Sequence, residues 1–311
     1  MDELAGGIRR VTLPLPQRPG HVHAYVLPGD DGWTVVDTGL GLPDATERWG
    51  AELAGLPGGI ARVFVTHFHP DHVGAAADVA ALTGAPVLQG RLDYEQCELV
   101  WGGEEWSDVL AEWFGRHGVP AGVTDELIGQ GALYKPFIRF QPDPAPLEAG
   151  DDVGGWRTVA APGHADGQLM LLRDGVLAAG DHLLDPITPT VGLWPESRPD
   201  PLADYLRALE ETIALEPTLA LPGHGEPIED PVGRARALLA HHVERLERTA
   251  AALGEDPSTA YEVSFALFGD DLKPAARRFA VAETLSHLEH LVLHGGAGRR
   301  ESDGGVTYTS A

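Results

Sequence analysis

The feature that most constrains this chain is a set of seven potential metal ligands standing at the ends of four apolar runs. The hexapeptide His67-Phe68-His69-Pro70-Asp71-His72 follows the β-branched run Ala61–Thr66. Pro162-Gly163-His164, Gly180-Asp181 and Pro222-Gly223-His224 close the runs Arg157–Ala161, Val176–Ala179 and Thr218–Leu221 in the same manner. Imidazole and carboxylate donors suit borderline divalent metals such as zinc, manganese or iron. A single His-x-His pair is weak, because surface loops supply such pairs often, and any one later histidine alone reads best as a satisfied loop or core residue. Four strand-end clusters in this order are hard to assemble by chance. A glycine ahead of a ligand also lets the backbone turn tightly into a crowded site. Within the hexapeptide an extended backbone would alternate faces, so the chain is expected to turn at Pro70, with Asp71 and His72 opening the following helix.

The rest of the pattern supplies elements for these ligands to stand on. Val22–Leu27 and Trp33–Val36, joined by Gly29-Asp30-Asp31-Gly32, read as a hairpin, and Asp37-Thr38-Gly39 ends its second strand. Asp44–Ala54 and the alanine-rich His72–Leu82 have helical character. Residues 91–141 read as an inserted helical lid carrying Trp101, Trp106, Trp113 and Phe114, with a strand expected only at about Pro136–Phe140. Strands then resume at Arg157–Ala161, Leu169–Leu172 and Val176–Ala179, followed by a helix over Asp200–Glu216 and a strand at Thr218–Leu221. A series of strands and helices that is partly repeated predicts an α/β fold, an αβ/βα sandwich of two sheets flanked by helices, over residues 1–228. Residues 229–311 read as a separate module: helices at Val232–Leu253, Ser258–Phe268 and Pro274–His294, then a short hairpin in Gly295–Tyr308. Three helices and a hairpin resemble a winged helix.

Charge narrows the partners. The net charge is −25, and residues 229–311 hold nine Lys and Arg against thirteen Asp and Glu, so most of the excess lies on the body. An anionic body repels phosphate backbones at long range, which counts against a general nucleic-acid binder without excluding one. Although a winged helix suggests DNA, the module has only Arg277-Arg278 and Arg299-Arg300 as paired basic residues, so a buttress at the active-site mouth or a homodimer contact is the expected role. No apolar run approaches a membrane span, and Met1–Gly7 lacks the regions of a signal peptide, so a cytoplasmic protein with no membrane partner is expected. Cys97, the single cysteine, is expected to be an inert, partly buried thiol on a helix. His21 and His23 are read as non-ligands, His182 as turned away from the metals, and His241 and His242 as solvated.

The ligand order HxHxDH…H…D…H resembles the metallo-β-lactamase superfamily over about residues 8–228. The resemblance implies a first metal on His67, His69 and His164, a second on Asp71, His72 and His224, and Asp181 bridging the two. The pair would be divalent ions, Zn2+ first, with Fe or Mn as alternatives. Asp37 matches the family's early strand-end aspartate, which supports the site from behind the ligands. The implied chemistry is attack by a metal-bridging hydroxide on a carbonyl or phosphoryl centre, with Asp71 as the catalytic residue that orients the nucleophile and shuttles its proton.

The stretch Asp181–Leu184, Pro186–Pro189 and Val191–Pro195, with the C-terminal helical extension, resembles the subgroup near glyoxalase II and β-lactamase-like protein 2. Between Asp181 and Arg198 there is no Lys and no Tyr, so glutathione recognition in the manner of glyoxalase II is not expected. The resulting expectation is a hydrolase of a small-molecule thioester, ester or lactone. Tyr134, Lys135, Arg139, Trp101, Trp106 and Phe137 are candidate substrate contacts. A ribonuclease or phosphodiesterase is the alternative, and a persulfide dioxygenase with one iron stands further back.

Overall fold

The computed structural model describes residues 1–16 and 19–311, with residues 130 and 132 described in their backbone alone. The first sheet has seven strands in sequence order: β1 (Asp2–Glu3), β2 (Arg9–Pro14), β3 (His21–Gly29), β4 (Gly32–Val36), β5 (Ile60–Val65), β6 (Val87–Gly90) and β7 (Ala145–Leu147). Its first four strands are antiparallel, and β4 to β7 run parallel through helical crossovers. The second sheet has the order β12 (Leu219–Pro222), β11 (Val176–Gly180), β10 (Leu169–Arg173), β9 (Trp156–Ala160), β8 (Asp152–Val153), with only β11 and β12 parallel.

Strand alternation explains why the sheets stack. Along β3, Val22, Ala24 and Val26 face one layer and Tyr25 and Leu27 the other, and all five are buried. Along β10, Leu169 and Leu171 point inward while Met170 points outward into a second apolar layer. Strands apolar on both faces must be covered on both. The inner faces meet each other through Tyr25, Leu27, Phe64, Trp156, Leu171 and Leu221. On the outside of the first sheet lie α1 (Ala45–Leu53), α2 (Pro70–Val73) and α3 (Ala76–Thr83). The result is the expected αβ/βα sandwich.

Between β6 and β7 the chain forms α4 (Arg91–Cys97), a turn at Glu98–Gly102, α5 (Trp106–Arg116) and α6 (Ala121–Ala132). Helices α7 (Pro201–Leu215) and α8 (Pro231–Ala251) cover the second sheet. Helices α9 (Ala260–Phe268) and α10 (Pro274–Leu293) and the hairpin β13 (Ala297–Ser302), β14 (Gly305–Ser310) complete the C-terminal part. A backbone bridge between Ser258 and Tyr308 adds a third short segment to the hairpin. This part closes on the insert: Leu110, Phe114 and Leu127 share one apolar cluster with Val263, Leu285, Val306 and Tyr308. Helix α10 is buried without a break from Ala280 to Leu288, so this stretch is a central strut. Among the described residues no helix is long and apolar enough to cross a membrane.

Three local expectations are corrected. The single helix over His72–Leu82 is two, α2 and α3, because Ala75 N–H bonds back to Gly39 O (2.9 Å) instead of continuing the first turn. No strand forms at 136–140; Lys135–Phe137 is a 3-10 turn, and the backbone of Phe137 and Arg139 bonds to that of Gly41, Gly74 and Ala77, the last in the first turn of α3. The strand in this region is β7, whose Pro146 is tolerated because it lies at the sheet's edge. His242 is fully buried against His287 and Tyr205, with its Nδ1 3.2 Å from His287 Nε2, so it is core and not solvated.

Candidate metal centre

The hexapeptide leaves β5 under tight control. Asp37, at the end of β4 with φ 59°, accepts from Thr66 N–H and Thr66 Oγ1, both at 2.8 Å, and so fixes where the loop begins. Phe68 N–H donates to Asp93 at 3.0 Å, and Trp101 Nε1 donates to Phe68 O at 2.9 Å. Held at both backbone groups, Phe68 packs into the core while its neighbours turn to the other side. The His67 and His69 rings come within 4.7 Å of each other. Pro70 occupies the first turn of α2, where its missing N–H is no loss, and the helix swings Asp71 and His72 to the same side.

The other three strand ends meet this loop. Donor atoms of His67, His69 and His164 cluster within 4.8 Å of one another, as do those of His67, His72 and Asp181, and of Asp71, His72 and His224. All seven predicted residues are therefore brought together. Gly223 has no room for a side chain, since a β-carbon there would run into Asp181 and lie 2.7 Å from His72. At Gly163, φ is 124° and a β-carbon would collide with Tyr205, so only glycine can deliver His164.

Four of the five rings are oriented by the outward nitrogen. His72 Nδ1 lies 2.8 Å from Asp37, His67 Nδ1 2.9 Å from Thr66 Oγ1, His164 Nδ1 2.8 Å from Thr190 O, and His224 Nδ1 2.9 Å from His21 O. That leaves four Nε2 atoms, with His69 Nδ1, facing inward. This is the arrangement of imidazoles that bind metal through one nitrogen and are steered by the other. The inward nitrogens of His67 and His72 and one oxygen of Asp181 are buried with no hydrogen-bond partner. His69 Nδ1 and His164 Nε2 sit 2.9 Å apart. Buried donors left unmatched in this way fit divalent cations and fit little else.

The titration pattern agrees. Burial pushes His67 and His164 below the usual imidazole range, and His69 down to about 3 with help from His164. These rings are neutral, as ligands must be. Burial also opposes charge on His72 and His224, but the carboxylates outweigh it. Asp181, Asp37 and Asp71 hold His72 well above its ordinary value, and Asp181 with Asp71 lifts His224 to about 10. Burial works against the charged carboxylates too, and the same imidazoles overcome it, pulling Asp71 down to about 2. The converging carboxylates thus favour positive charge at His72 and His224, which is the charge a divalent cation would bring.

The metallo-beta-lactamase superfamily profile matches residues 17–224, two thirds of the chain. The chain belongs to the metallo-beta-lactamase superfamily. A second profile, the metallo-beta-lactamase-like C-terminal domain, matches residues 246–311. The probable metallo-hydrolase YqjP of Bacillus subtilis is 28% identical over 90% of this chain and 91% of its own. A beta-lactamase-like protein 2 homolog of Drosophila melanogaster is 25% identical over 86% of this chain and 82% of its own. The crystal structure of a metallo-beta-lactamase family protein from Thermus thermophilus superposes with a TM-score of 0.86 at 34% identity, covering 98% of this chain and 99% of that one. Superfamily membership and the clustered donors together make this a metal-binding hydrolase.

A cavity of about 340 Å³ opens on the centre, and His69, Asp71, His164, Asp181 and His224 form its floor. Trp101, Trp106 and Tyr134 from the insert line it as expected. Three other candidates do not. Lys135 donates outward to Gly103 O at 2.5 Å, Arg139 forks onto Asp78, and Phe137 is not on the wall. The sequence reading missed Asp93, Thr66 and the carbonyl of His21, which hold the site from behind. It also missed Trp194, Glu196, Ala275, Arg278 and Phe279, which close the far side. His182 turns away to Thr212 (2.8 Å) as expected, His23 is no ligand, and Cys97 is wholly buried. A further His/Asp group, Asp200 with His290 and His294, lies between α7 and α10. There Asp200 already caps Ala203 N–H and accepts from both rings, so it ties two helices together.

Proposed function

We propose that this enzyme hydrolyses a small, largely apolar thioester, ester or lactone, using a dinuclear centre loaded with divalent ions, zinc first. The observation that carries the reading is the cavity above the ligands, walled mainly by Leu, Trp, Phe and Pro side chains. His67, His69 and His164 would hold one ion, Asp71, His72 and His224 the other, and Asp181 would serve both. When bound, such a pair supplies Lewis acidity and an attacking water acidic enough to ionise near neutral pH.

The chain's own residues do the positioning. Asp71 lies 3.3 Å from His224 Nε2 on the cavity floor, where it can orient the nucleophile and hold its proton. The Tyr134 hydroxyl has no hydrogen-bond partner among the described residues. Burial and the nearby Asp71 raise its pKa, so it stays protonated and can donate to a carbonyl oxygen or leaving group. Trp101 and Trp106 exclude water and accept an acyl body.

Phosphodiester cleavage would use the same donors, but an RNA strand needs cations along its path. Arg277 is committed to Ser264 and the Phe265 ring, and Arg299 to Glu289 and Glu301. The test is a substrate panel on holoprotein whose metal has been counted: aryl esters, thioesters, lactones, a bis-aryl phosphodiester and single-stranded RNA. Two metals per chain and turnover of an acyl substrate are expected, with Asp181→Ala lowering turnover by about 10³-fold. Turnover of phosphodiester or RNA alone, or one iron with oxygen uptake on a persulfide, overturns the proposal.

A further inference from the structure

Arg278 is the one Arg or Lys among the described residues that line the cavity. It stands near the start of α10 and reaches across to α6, where a β-carbon on Gly131 would lie 2.5 Å from its Nη1. Its guanidinium makes no hydrogen bond or ion pair among the described residues, and its Nε is sealed from solvent with no partner. What holds it is aromatic: Cζ lies 5.2 Å from the Trp194 ring and 5.9 Å from that of Phe279. The planar faces leave the edge of the guanidinium, with its forked donors, for something else.

The neighbouring carboxyl does not satisfy it. Glu196 lines the same cavity and one of its oxygens is also buried without a partner, yet the two groups form no ion pair. Burial pushes Glu196 up to about 7, so at neutral pH it offers only part of a charge, while Arg278, lowered by burial to about 10, remains a cation. A desolvated cation without a counter-ion is costly in any fold. In a chain of net charge −25 it is also the local exception to the surrounding field. Such a group is retained most economically as half of a pair whose other half arrives with the ligand.

We propose that Arg278 is an anion subsite and that the substrate is an amphiphilic acyl compound: an ester, thioester or lactone whose apolar body fills the cavity and whose carboxylate meets Arg278 on the wall formed with Trp194 and Phe279. The proposal rests on the acyl-hydrolase reading and names its substrate class. It makes Arg278 a specificity-determining residue supplied by the C-terminal module.

The test pairs two esters of equal length, mono-4-nitrophenyl suberate and 4-nitrophenyl octanoate, on holoenzyme. Arg278→Gln should lower kcat/KM for the anionic ester by roughly 10–100-fold, the scale of one lost charge-assisted contact, mainly through KM. It should leave the neutral ester within about 3-fold, and Arg278→Lys should recover part of the loss. Equal losses on both esters would mean that Arg278 only shapes the wall through Trp194, and the proposal fails. A second arm needs no turnover: octanoate and octanamide are titrated against wild type and Arg278→Gln by tryptophan fluorescence. Octanoate binding to the metals is common to both proteins, so only the difference between them reports on Arg278. Arg278-dependent octanoate binding without hydrolysis of either ester would sink the hydrolase reading and leave the anion subsite standing. Hydrolysis indifferent to Arg278 would do the reverse.

Discussion

The two ends of the cavity are held in place by opposite means. At the metal end, four of the five inward-facing imidazoles are steered by a second bond from the outer nitrogen, and Asp37 alone gathers Thr66 twice and His72 once. At the far end, Arg278 Nε and Glu196 Oε2 are buried with no polar partner among the described residues, and the wall stands because Phe114, Leu285 and Tyr308 pack behind it. Directional bonds fix donor positions closely, as chemistry at a metal requires. Packing fixes a shape and leaves polar groups available to a ligand. The two ends should therefore fail separately.

The largest expected effect is on the packed end. Phe114 is fully buried beside Trp194, and Phe114→Ala should destabilise the protein by about 3–5 kcal/mol in denaturant unfolding. The surviving folded enzyme should keep its metal and show a raised KM. Loss of metal would break the separation between the ends. Next, Asp37→Asn should weaken metal affinity by about 10–100-fold in chelator competition, with little change in cavity binding of an apolar ester. An unchanged metal affinity would mean that the bond to His72 does not steer it.

A smaller effect concerns the strut that carries the far wall. Glu283 on α10 is buried, and its pKa is raised to about 7 by desolvation, which outweighs Arg245 facing it across 4.0 Å. A carboxyl raised in the fold contributes stability below its unfolded value near 4.5 and loses it as pH rises through about 7. Glu283→Gln should leave Tm at pH 4.5 nearly unchanged and raise it at pH 8 by roughly 2–6 °C. A Tm that falls at pH 8 would mean that Arg245 needs the charge. The smallest effect belongs to Cys97. Buried under the first sheet, with burial raising its thiol pKa, it should not react with an aromatic disulfide reagent in the native state. Rapid labelling would show that the insert opens.

The metal end was legible because its information is local. His67–His72, Gly163-His164, Gly180-Asp181 and Gly223-His224 each state a strand end, a turn and a donor within a few residues. The groups behind them were harder to see. Asp37 was visible only through family likeness, while the His21 carbonyl and Asp93 carry no side-chain signature of their role. The far wall was illegible for another reason. Trp194, Arg278 and Phe279 lie in segments that no periodicity links to the insert, and they meet the expected Trp101 and Tyr134 only because the insert and the C-terminal module pack together. The same packing hid His242, whose helix reads as exposed until α10 covers it.

The shared cluster of insert and C-terminal hairpin has a consequence for the order of events in making the enzyme. Helices α5 and α6 emerge during synthesis well before Val306 and Tyr308, which complete their apolar surroundings. Until α9, α10 and the hairpin have all arrived, Leu110, Phe114 and Leu127 lack part of their apolar surroundings, although the strands bearing all seven metal ligands are already made. A growing chain can therefore acquire its metal before it acquires a substrate pocket, and selectivity is the last property to mature.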